Sequence, residues 1–347
     1  IRLSLVGSEM CIRDRLEAAR CLLGKIYLYQ EKYTDAKSEL EKVISSGKYD
    51  LIADVSTFYH PASAGCKEYV LECVRHYDPS NMYSQEGWFG ILANWGFGYG
   101  FIAGPEASMH YKFNTTSGYS YFNPSKSLYD AFVAEEGADG YRLNAWIRTW
   151  EQVIAMNIAV NTTTNKYASE GYFRLKWLAS TDDEFVGYWC GNQSNTPVIR
   201  YADVLLMAAE ACLQAGDQAG ADEYLGRVRD RARLPRKSHV TLSDIKLERR
   251  LELAMEGMRF QDLKRWGDAP AVLADKGKKL PTFQIVPDPN NDLTTAAGIY
   301  NARYTTKTTY VDNEKSLAGW TPNRDEWLPF PENELEVNSN LKQNPGY

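Results

Sequence analysis

The chain of 347 residues is 44% hydrophobic and 24% charged, with a mean hydropathy of -0.46, as is typical of a globular protein. Its formal net charge of -6 excludes a chain-wide attraction to nucleic acid or anionic lipid. The six cysteines show no C-x-x-C spacing and predict no dense disulfide framework, although pairing of Cys66 with Cys73 stays open.

The first predicted elements are two helices within residues 16–46. Apolar residues recur at helical spacing from Leu16 to Tyr27, and Asp35–Ser45 carries a second apolar face. Gly47 is the predicted stop of the second helix. Residues 1–15 lack this pattern, and we interpret them as a non-native leader on a chain truncated at its N-terminal side.

A loop-rich region is predicted over residues 49–197, which are rich in Gly, Asn, Ser, Tyr and Trp. Short helices are expected at Ser127–Glu135 and Asn144–Trp150. Tyr141–Trp150 and Gly171–Leu178 could instead be short strands.

A second helical hairpin is predicted at Tyr201–Arg233, and it repeats the first. Five packing positions recur with one offset of 185 residues. A small residue on each helix lets its partner approach closely, as in a tetratricopeptide repeat, and such repeats stack because one alone cannot bury its apolar face. The paired positions are Gly24 and Ala209, Tyr27 and Cys212, Ala36 and Ala221, Leu40 and Leu225, and Val43 and Val228.

A third helical segment is predicted as one helix from Leu242 to Arg265. Thr241 and Asp244 have the spacing of a capping box. Gly257, in the middle of this helix, is expected to permit close backbone approach, since glycine otherwise costs a helix about 1 kcal/mol. Residues 268–347 are predicted to be loop-rich, with a strand at Leu280–Val286 and a turn at Asp288–Asp292.

Four stretches of this sequence together resemble the SusD/RagB family of Bacteroidetes. They read RYADVLLMAAEACLQAG, VRDRARLP, ERRLELAMEGMRFQDLKRWG and, at the end of the chain, WLPFPENELEVNSNLKQNPGY. The last is the most specific, because Gln343-Asn344-Pro345-Gly346-Tyr347 follows a Pro-x-x-Glu turn. The resemblance covers residues 16–347 as a single domain and implies a mainly α fold, in which tetratricopeptide-like hairpins support a loop-rich, aromatic-rich region with few short strands.

The resemblance also implies a function without catalysis or cofactor. Family members are surface lipoproteins that bind oligosaccharide or polysaccharide and work with a SusC-like TonB-dependent transporter of the outer membrane. We therefore expect a glycan ligand, that transporter as partner, and a location on the extracellular face of the outer membrane through a lipid anchor that this chain lacks. One alternative is the binding of a peptide or another nutrient, and a second alternative is glycoside hydrolysis.

The candidate glycan site lies in residues 82–121, where aromatic rings alternate with glycines and short amides. Sugar rings pack their C–H faces on aromatic rings, and their hydroxyls pair with amides and carboxylates. The alternative is that these rings fill the core beneath a long loop. A second cluster, which includes Asn195, follows at residues 188–195 and could instead be a polar surface loop. The predicted ligand-binding residues are Trp88, Trp95, Asn94, Glu86, Phe97, Tyr99, Tyr119, Tyr121, Trp189 and Asn192.

No catalytic or metal-binding residues are predicted. Glu252 and Glu256 lie one helical turn apart among arginines, which lower carboxyl pKa values and so disfavour a general acid. The alternating oxygens of Asp288–Asp292 resemble the start of a calcium loop, but Leu293 and Ile299 stand where an EF-hand needs Gly and Glu. We interpret the charged residues of the third helical segment as an ion-pair network that fixes it against the repeats: Arg249, Arg250, Glu252, Glu256, Arg259, Asp262 and Arg265.

Overall fold

The computed structural model describes residues 9–58, 60–74, 123–155, 166–167, 169–176, 195–292, 294–295, 298, 303–313 and 318–347. The helices are α1 (Glu9–Tyr29), α2 (Tyr33–Ser45), α3 (Lys126–Glu136), α4 (Tyr141–Trp146), α5 (Trp150–Ala155), α6 (Tyr201–Gln214), α7 (Gln218–Arg231), α8 (Leu242–Glu252), α9 (Arg259–Arg265), α10 (Ala269–Val272) and α11 (Glu332–Val337). The strands are β1 (Tyr69–Cys73), β2 (Ile147–Thr149), β3 (Lys166–Tyr167), β4 (Tyr172–Arg174), β5 (Thr196–Arg200), β6 (Lys279–Pro287) and β7 (Tyr304–Asp312).

The two predicted helical hairpins are confirmed, and they pack on each other through α2 and α6. Eight of the ten packing positions belong to one buried cluster, in which Leu40 and Leu225 are both 0% exposed, and partly buried Tyr27 packs against it. A Cβ atom on Gly24 would lie only 2.7 Å from Cγ of Leu40, so this glycine permits the close approach of α1 and α2. The mainly α fold class is therefore confirmed.

The ends of the first hairpin agree only partly with the prediction. Gly47 follows α2 with a φ of 66°, the left-handed conformation that ends helices. Helix α1, however, begins at Glu9 rather than at Leu16. Its backbone continues through residues 9–15 because no Gly or Pro interrupts them.

One face of α1 remains exposed, with Leu16 at 55% and Ile26 at 52%. None of the helices within the described ranges is both long and apolar enough to cross a bilayer.

The prediction of one continuous helix from Leu242 to Arg265 is wrong. Helix α8 ends at Glu252, α9 begins at Arg259, and turns join them. Met255 and Gly257 have φ values of 65° and 79°, which no right-handed helix contains. The predicted role of Gly257 is also wrong, since a Cβ atom there would meet nothing within 4 Å. Gly257 serves the turn through its positive φ, not through close packing.

The predicted capping box of α8 is confirmed. The Thr241 side chain accepts a hydrogen bond from the Asp244 backbone N–H, and the Asp244 carboxylate accepts one from the Thr241 backbone N–H at 2.9 Å. Burial opposes ionisation of Asp244, but these bonds and Lys237 lower its pKa from 3.8 to about 2. The ionised carboxylate therefore stabilises the start of α8.

Replacing Asp244 with Asn is expected to cost about 1 kcal/mol of unfolding free energy at pH 7. Because the folded-state pKa lies below the unfolded one, the charge contributes fully above pH 3.8, and this contribution is lost as the pH falls through about 2. Urea unfolding of both proteins at pH 7 and pH 2 measures this. An unchanged difference between them at the two pH values would contradict the role given to the charge.

The central part of the described chain mixes short helices and strands. The predicted helix at Ser127–Glu135 is confirmed as α3. Residues 141–150 were predicted to form either a helix or a strand, and both occur in part, since helix α4 is followed directly by strand β2. Strand β2 pairs with β4, which confirms a strand within Gly171–Leu178.

The region after residue 267 holds more regular structure than predicted. The strand expected at Leu280–Val286 is confirmed as β6, but its long antiparallel partner β7 was not predicted. Phe283 of β6 packs against Trp150 and Phe173, with ring centroids 5.9 and 6.4 Å away. This contact joins the sheet that contains β6 and β7 to the two-stranded β2–β4 sheet.

Candidate functional site

The ten residues predicted to bind ligand lie outside the described residues, within 75–122 and 177–194. Their assignment therefore stays a prediction. They are Trp88, Trp95, Asn94, Glu86, Phe97, Tyr99, Tyr119, Tyr121, Trp189 and Asn192.

The structure describes two strands that flank these segments in the chain. Strand β1 precedes residues 75–122, and strand β5 follows residues 177–194. The two strands pair in antiparallel fashion, with Cys73 opposite Thr196. The described residues that flank the two candidate segments on these sides therefore lie next to each other on one ladder, although the two aromatic clusters are far apart in the sequence.

Asn195, a member of the second predicted cluster, directly precedes β5 of this ladder. It is 8% exposed, and its Nδ2 donates to Oε2 of Glu72 at 3.0 Å. The Glu72 carboxylate also accepts a hydrogen bond from the Gly65 backbone. This asparagine holds the strands together, which corrects its assignment to a ligand-facing cluster. Cys73, next to Glu72, and Cys66 are free thiols, so the pairing left open for them does not occur.

A buried ion-pair network lies behind the ladder, as predicted for Glu252 and Glu256. Arg200, the last residue of β5, is its centre: Nη2 donates to Glu252 at 3.0 Å and to Glu256 at 2.7 Å, and Nη1 donates to Glu68 at 2.5 Å. Arg231 of α7 contacts both Glu68 and Glu252. The network thereby joins β1, β5, the second hairpin and α8.

The same network reaches the central region through two further cations. Arg142 of α4 is 0% exposed and donates to Glu248 at 2.5 Å and to Glu252 at 3.0 Å. Lys176 donates to Glu256 at 2.5 Å, and its Nζ lies 3.8 Å from the Trp146 ring centroid. Lys176, the described residue that directly precedes residues 177–194, is therefore fixed to the network.

The electrostatics of these acids suit a structural role. Burial opposes ionisation of Glu252, but Arg231, Arg200 and Arg142 outweigh it and hold the carboxyl pKa well below its usual range. The pKa of Glu256 is also lowered, since Arg200 and Lys176 outweigh burial. Both carboxylates therefore stay ionised and paired, which is the opposite of what a general acid requires.

A second buried cluster fixes α9 against α6. Arg249 donates to Asp203 at 2.7 Å and to Asp262 at 2.9 Å. Arg265 and the Trp266 indole N–H both donate to Glu210. Of the residues predicted for the network, Arg250 and Arg259 form no ion pair among the described residues, and Arg250 instead donates to Ser127 of α3.

The sequence did not reveal Arg142, Arg200 and Lys176 as partners of these acids. They lie 110, 52 and 80 residues from the glutamates they bind, so no local spacing reports the contact. One sequence feature could have indicated the pairing of Arg200. It directly precedes an apolar helix, and an arginine that is buried there needs an acidic partner.

The described residues include one cluster with donor atoms close enough for a metal ion, namely Glu41, Cys212 and Asp217, within 4.8 Å of one another. Lys37 occupies this cluster as a cation, with Nζ 2.6 Å from Oδ2 of Asp217. Burial raises the pKa of the Cys212 thiol to about 12, so it remains protonated. The donor set therefore suits an ion pair and does not suit a thiolate-bound metal.

The chain was compared with known proteins. The model of the SusD family matches residues 67–347. A SusD-like protein from Bacteroides ovatus is 31% identical over 170 residues, which are 44% of this chain and 29% of that protein. SusD-like protein P2 from Formosa agariphila is 26% identical over 362 aligned positions, which cover 95% of this chain and 59% of that protein.

Solved structures give the same result. A laminarin-binding SusD-like protein aligns with a TM-score of 0.68 and 27% identity, over 95% of this chain and 62% of that chain. Surface glycan-binding protein A from Bacteroides thetaiotaomicron, in complex with laminarihexaose, aligns with a TM-score of 0.68 and 25% identity, over 95% and 63%. The chain thus spans less than two thirds of the length of these proteins. Because the family model matches most of its residues, the chain belongs to the SusD family.

Proposed function

We propose that this protein binds oligosaccharide or polysaccharide reversibly at the cell surface, without breaking bonds, and delivers it to a SusC-like TonB-dependent transporter. A lipid anchor would hold the protein on the extracellular face of the outer membrane. Transporter and anchor come from the family resemblance alone.

One observation carries the proposal. The acids of the central network are bonded to arginine or lysine, whereas aromatic rings and amides are concentrated in the sequence of residues 75–122 and 177–194, which are flanked by the paired strands β1 and β5. Rings and amides suit adsorption of a sugar, and paired acids suit a rigid support. Two structural neighbours described as binding laminarin or laminarihexaose support a glycan as ligand.

Affinity electrophoresis through gels containing a panel of polysaccharides, laminarin among them, tests the proposal. We expect retarded migration in at least one gel, with no new reducing ends after prolonged incubation. No retardation by any glycan, together with peptide binding by calorimetry, would instead favour a peptide carrier. Reducing ends that accumulate with time would establish a hydrolase.

Replacing Trp88 or Trp95 with Ala is expected to weaken glycan binding about threefold to tenfold, because a stacked ring contributes roughly 0.5–1.5 kcal/mol beyond its buried area. The melting temperature should stay within about 2 °C of the wild type. Trp327→Ala is a matched control, because this indole is 57% exposed in the C-terminal part of the chain. A large loss of thermal stability in the Trp88 or Trp95 variant would place that ring in the core instead.

A further inference from the structure

We propose that Tyr129, Tyr172 and Tyr310 form a second carbohydrate-binding surface, here called the tyrosine platform, which takes a neutral pyranose unit. This inference rests on the proposed glycan-binding function and adds residues outside both predicted aromatic clusters. The three rings come from α3, β4 and β7.

Two of the rings form a stacked pair. The centroids of Tyr129 and Tyr172 are 4.5 Å apart, and the ring planes differ by 26°. Both side chains are half-buried, and neither hydroxyl has a hydrogen-bond partner within the described chain. Stacking fixes the rings, so a ligand that packs on them causes little further loss of side-chain entropy.

The third ring is placed by the register of the β6–β7 sheet. Tyr310 lies opposite Pro281, and Thr308 lies opposite Phe283. Alternate residues share a face of a strand, so Tyr310 stands on the same face as buried Phe283. Tyr310 nevertheless stays 50% exposed, and its hydroxyl contacts Glu170, two residues before β4.

Glu170 joins the three elements that carry the rings. Its Oε1 accepts a hydrogen bond from the Tyr310 hydroxyl at 2.7 Å, and its Oε2 accepts one from the Lys126 backbone N–H at 2.5 Å, at the start of α3. The next residue, Gly171, has a φ of 88°, and a Cβ atom there would lie 2.5 Å from the Phe283 ring. Only glycine fits this turn, so the position of Glu170 is fixed by the chain.

The hydrogen bond to Glu170 raises the pKa of Tyr310 to about 12, so the phenol stays neutral at physiological pH. The charged side chains near Tyr310 are compensated by neighbouring groups. Lys126 Nζ donates to both carboxylate oxygens of Asp130, at 2.6 and 2.8 Å, and Glu170 is compensated by the N-terminus of α3.

The surface therefore offers aromatic faces, phenolic hydroxyls and carboxylate oxygens without an uncompensated charge. A neutral sugar ring matches it, since C–H faces pack on rings and hydroxyls pair with oxygens. A phosphate or a polycation would find no free partner of opposite charge.

The experiment compares laminarihexaose binding by calorimetry for wild type, Tyr172→Ala and Tyr310→Ala. Tyr29→Ala is the matched control, because that ring is 40% exposed on α1, away from the platform. We expect Kd to rise about threefold to tenfold for the two platform variants and to stay unchanged for the control. Tyr310→Phe keeps the ring and should bind within about twofold of wild type, while melting curves confirm that each variant is folded.

The outcomes separate this inference from the proposed function. If wild type binds and the platform variants bind equally well, the platform is wrong and glycan binding stands. If wild type binds neither laminarihexaose nor any other glycan of the panel, both are wrong. A third outcome is that Tyr172→Ala or Tyr310→Ala binds glycan more weakly and also melts at a much lower temperature than wild type. If Tyr310→Phe then binds as weakly as Tyr310→Ala, these rings serve stability and the platform is wrong.

Discussion

Replacing Arg200 with alanine is expected to lower the free energy of unfolding by about 3–5 kcal/mol, because removal of one partner of a buried ion pair leaves the other charge uncompensated. Arg200 contacts Glu68, Glu252 and Glu256, and both Glu68 and Glu252 are 0% exposed. Without it, these carboxylates lose a shared cation, and only Arg231, Arg142 and Lys176 remain to compensate their charge. Urea unfolding followed by circular dichroism measures the change.

Two further variants show whether charge is the cause. Arg200→Met keeps most of the side-chain volume and should destabilise nearly as much as alanine, since the three glutamates again lose the cation that they share. Arg236→Ala removes an arginine whose partners are exposed, with side-chain exposures of 44% for Arg236 and 52% for Glu223, and should cost less than about 1 kcal/mol. Equal losses for Arg200→Ala and Arg236→Ala would contradict a structural role for the network.

Leu40→Ala is expected to cost about 2–5 kcal/mol, the range for deletion of a buried leucine side chain from a close-packed core. Leu40 is 0% exposed and lies where α2 crosses Gly24 of α1. Leu23→Ala on the outer face of α1 is the control, because Leu23 is 37% exposed and should change stability by only about 0.5 kcal/mol. Chemical denaturation of both variants provides the comparison.

The packing of Gly24 on Leu40 can be isolated with a double-mutant cycle. In wild type, a Cβ atom at position 24 would lie 2.7 Å from Leu40 Cγ, so Gly24→Ala should destabilise by about 1–3 kcal/mol. In the Leu40→Ala background the clash is absent, and the higher helix propensity of alanine should make the same change stabilising by up to about 1 kcal/mol. An identical effect in both backgrounds would show that the hairpin does not pack as described.

The repeats could be predicted because their information is local. The spacing of Gly24, Ala36 and Leu40 reports a helix face and a close crossing, and the same spacing recurs in the second hairpin. The break between α8 and α9 could not be predicted this way, since it depends on a left-handed conformation at Met255, which tertiary contacts must stabilise. Strand β7 was missed although its Thr-rich sequence, YTTKTTYVD, is typical of a strand.

The functional residues were predicted less completely than the fold. The sequence correctly placed Glu252 and Glu256 in a structural network, because neighbouring arginines disfavour a general acid. It did not place Arg142 or Arg200 there, since pairing between distant segments leaves no local pattern. For the same reason it did not bring Tyr129, Tyr172 and Tyr310 together, since they are neighbours only after the sheet and α3 have packed.

The most direct test of this account is a calorimetric titration with laminarihexaose. The sugar is then recovered from the calorimeter cell and analysed by mass spectrometry. We predict saturable heat of binding and recovery of the intact hexasaccharide. Shorter oligosaccharides in the recovered sample would contradict a non-catalytic binding protein. Absence of binding heat with this and every other glycan of the panel would contradict glycan recognition itself.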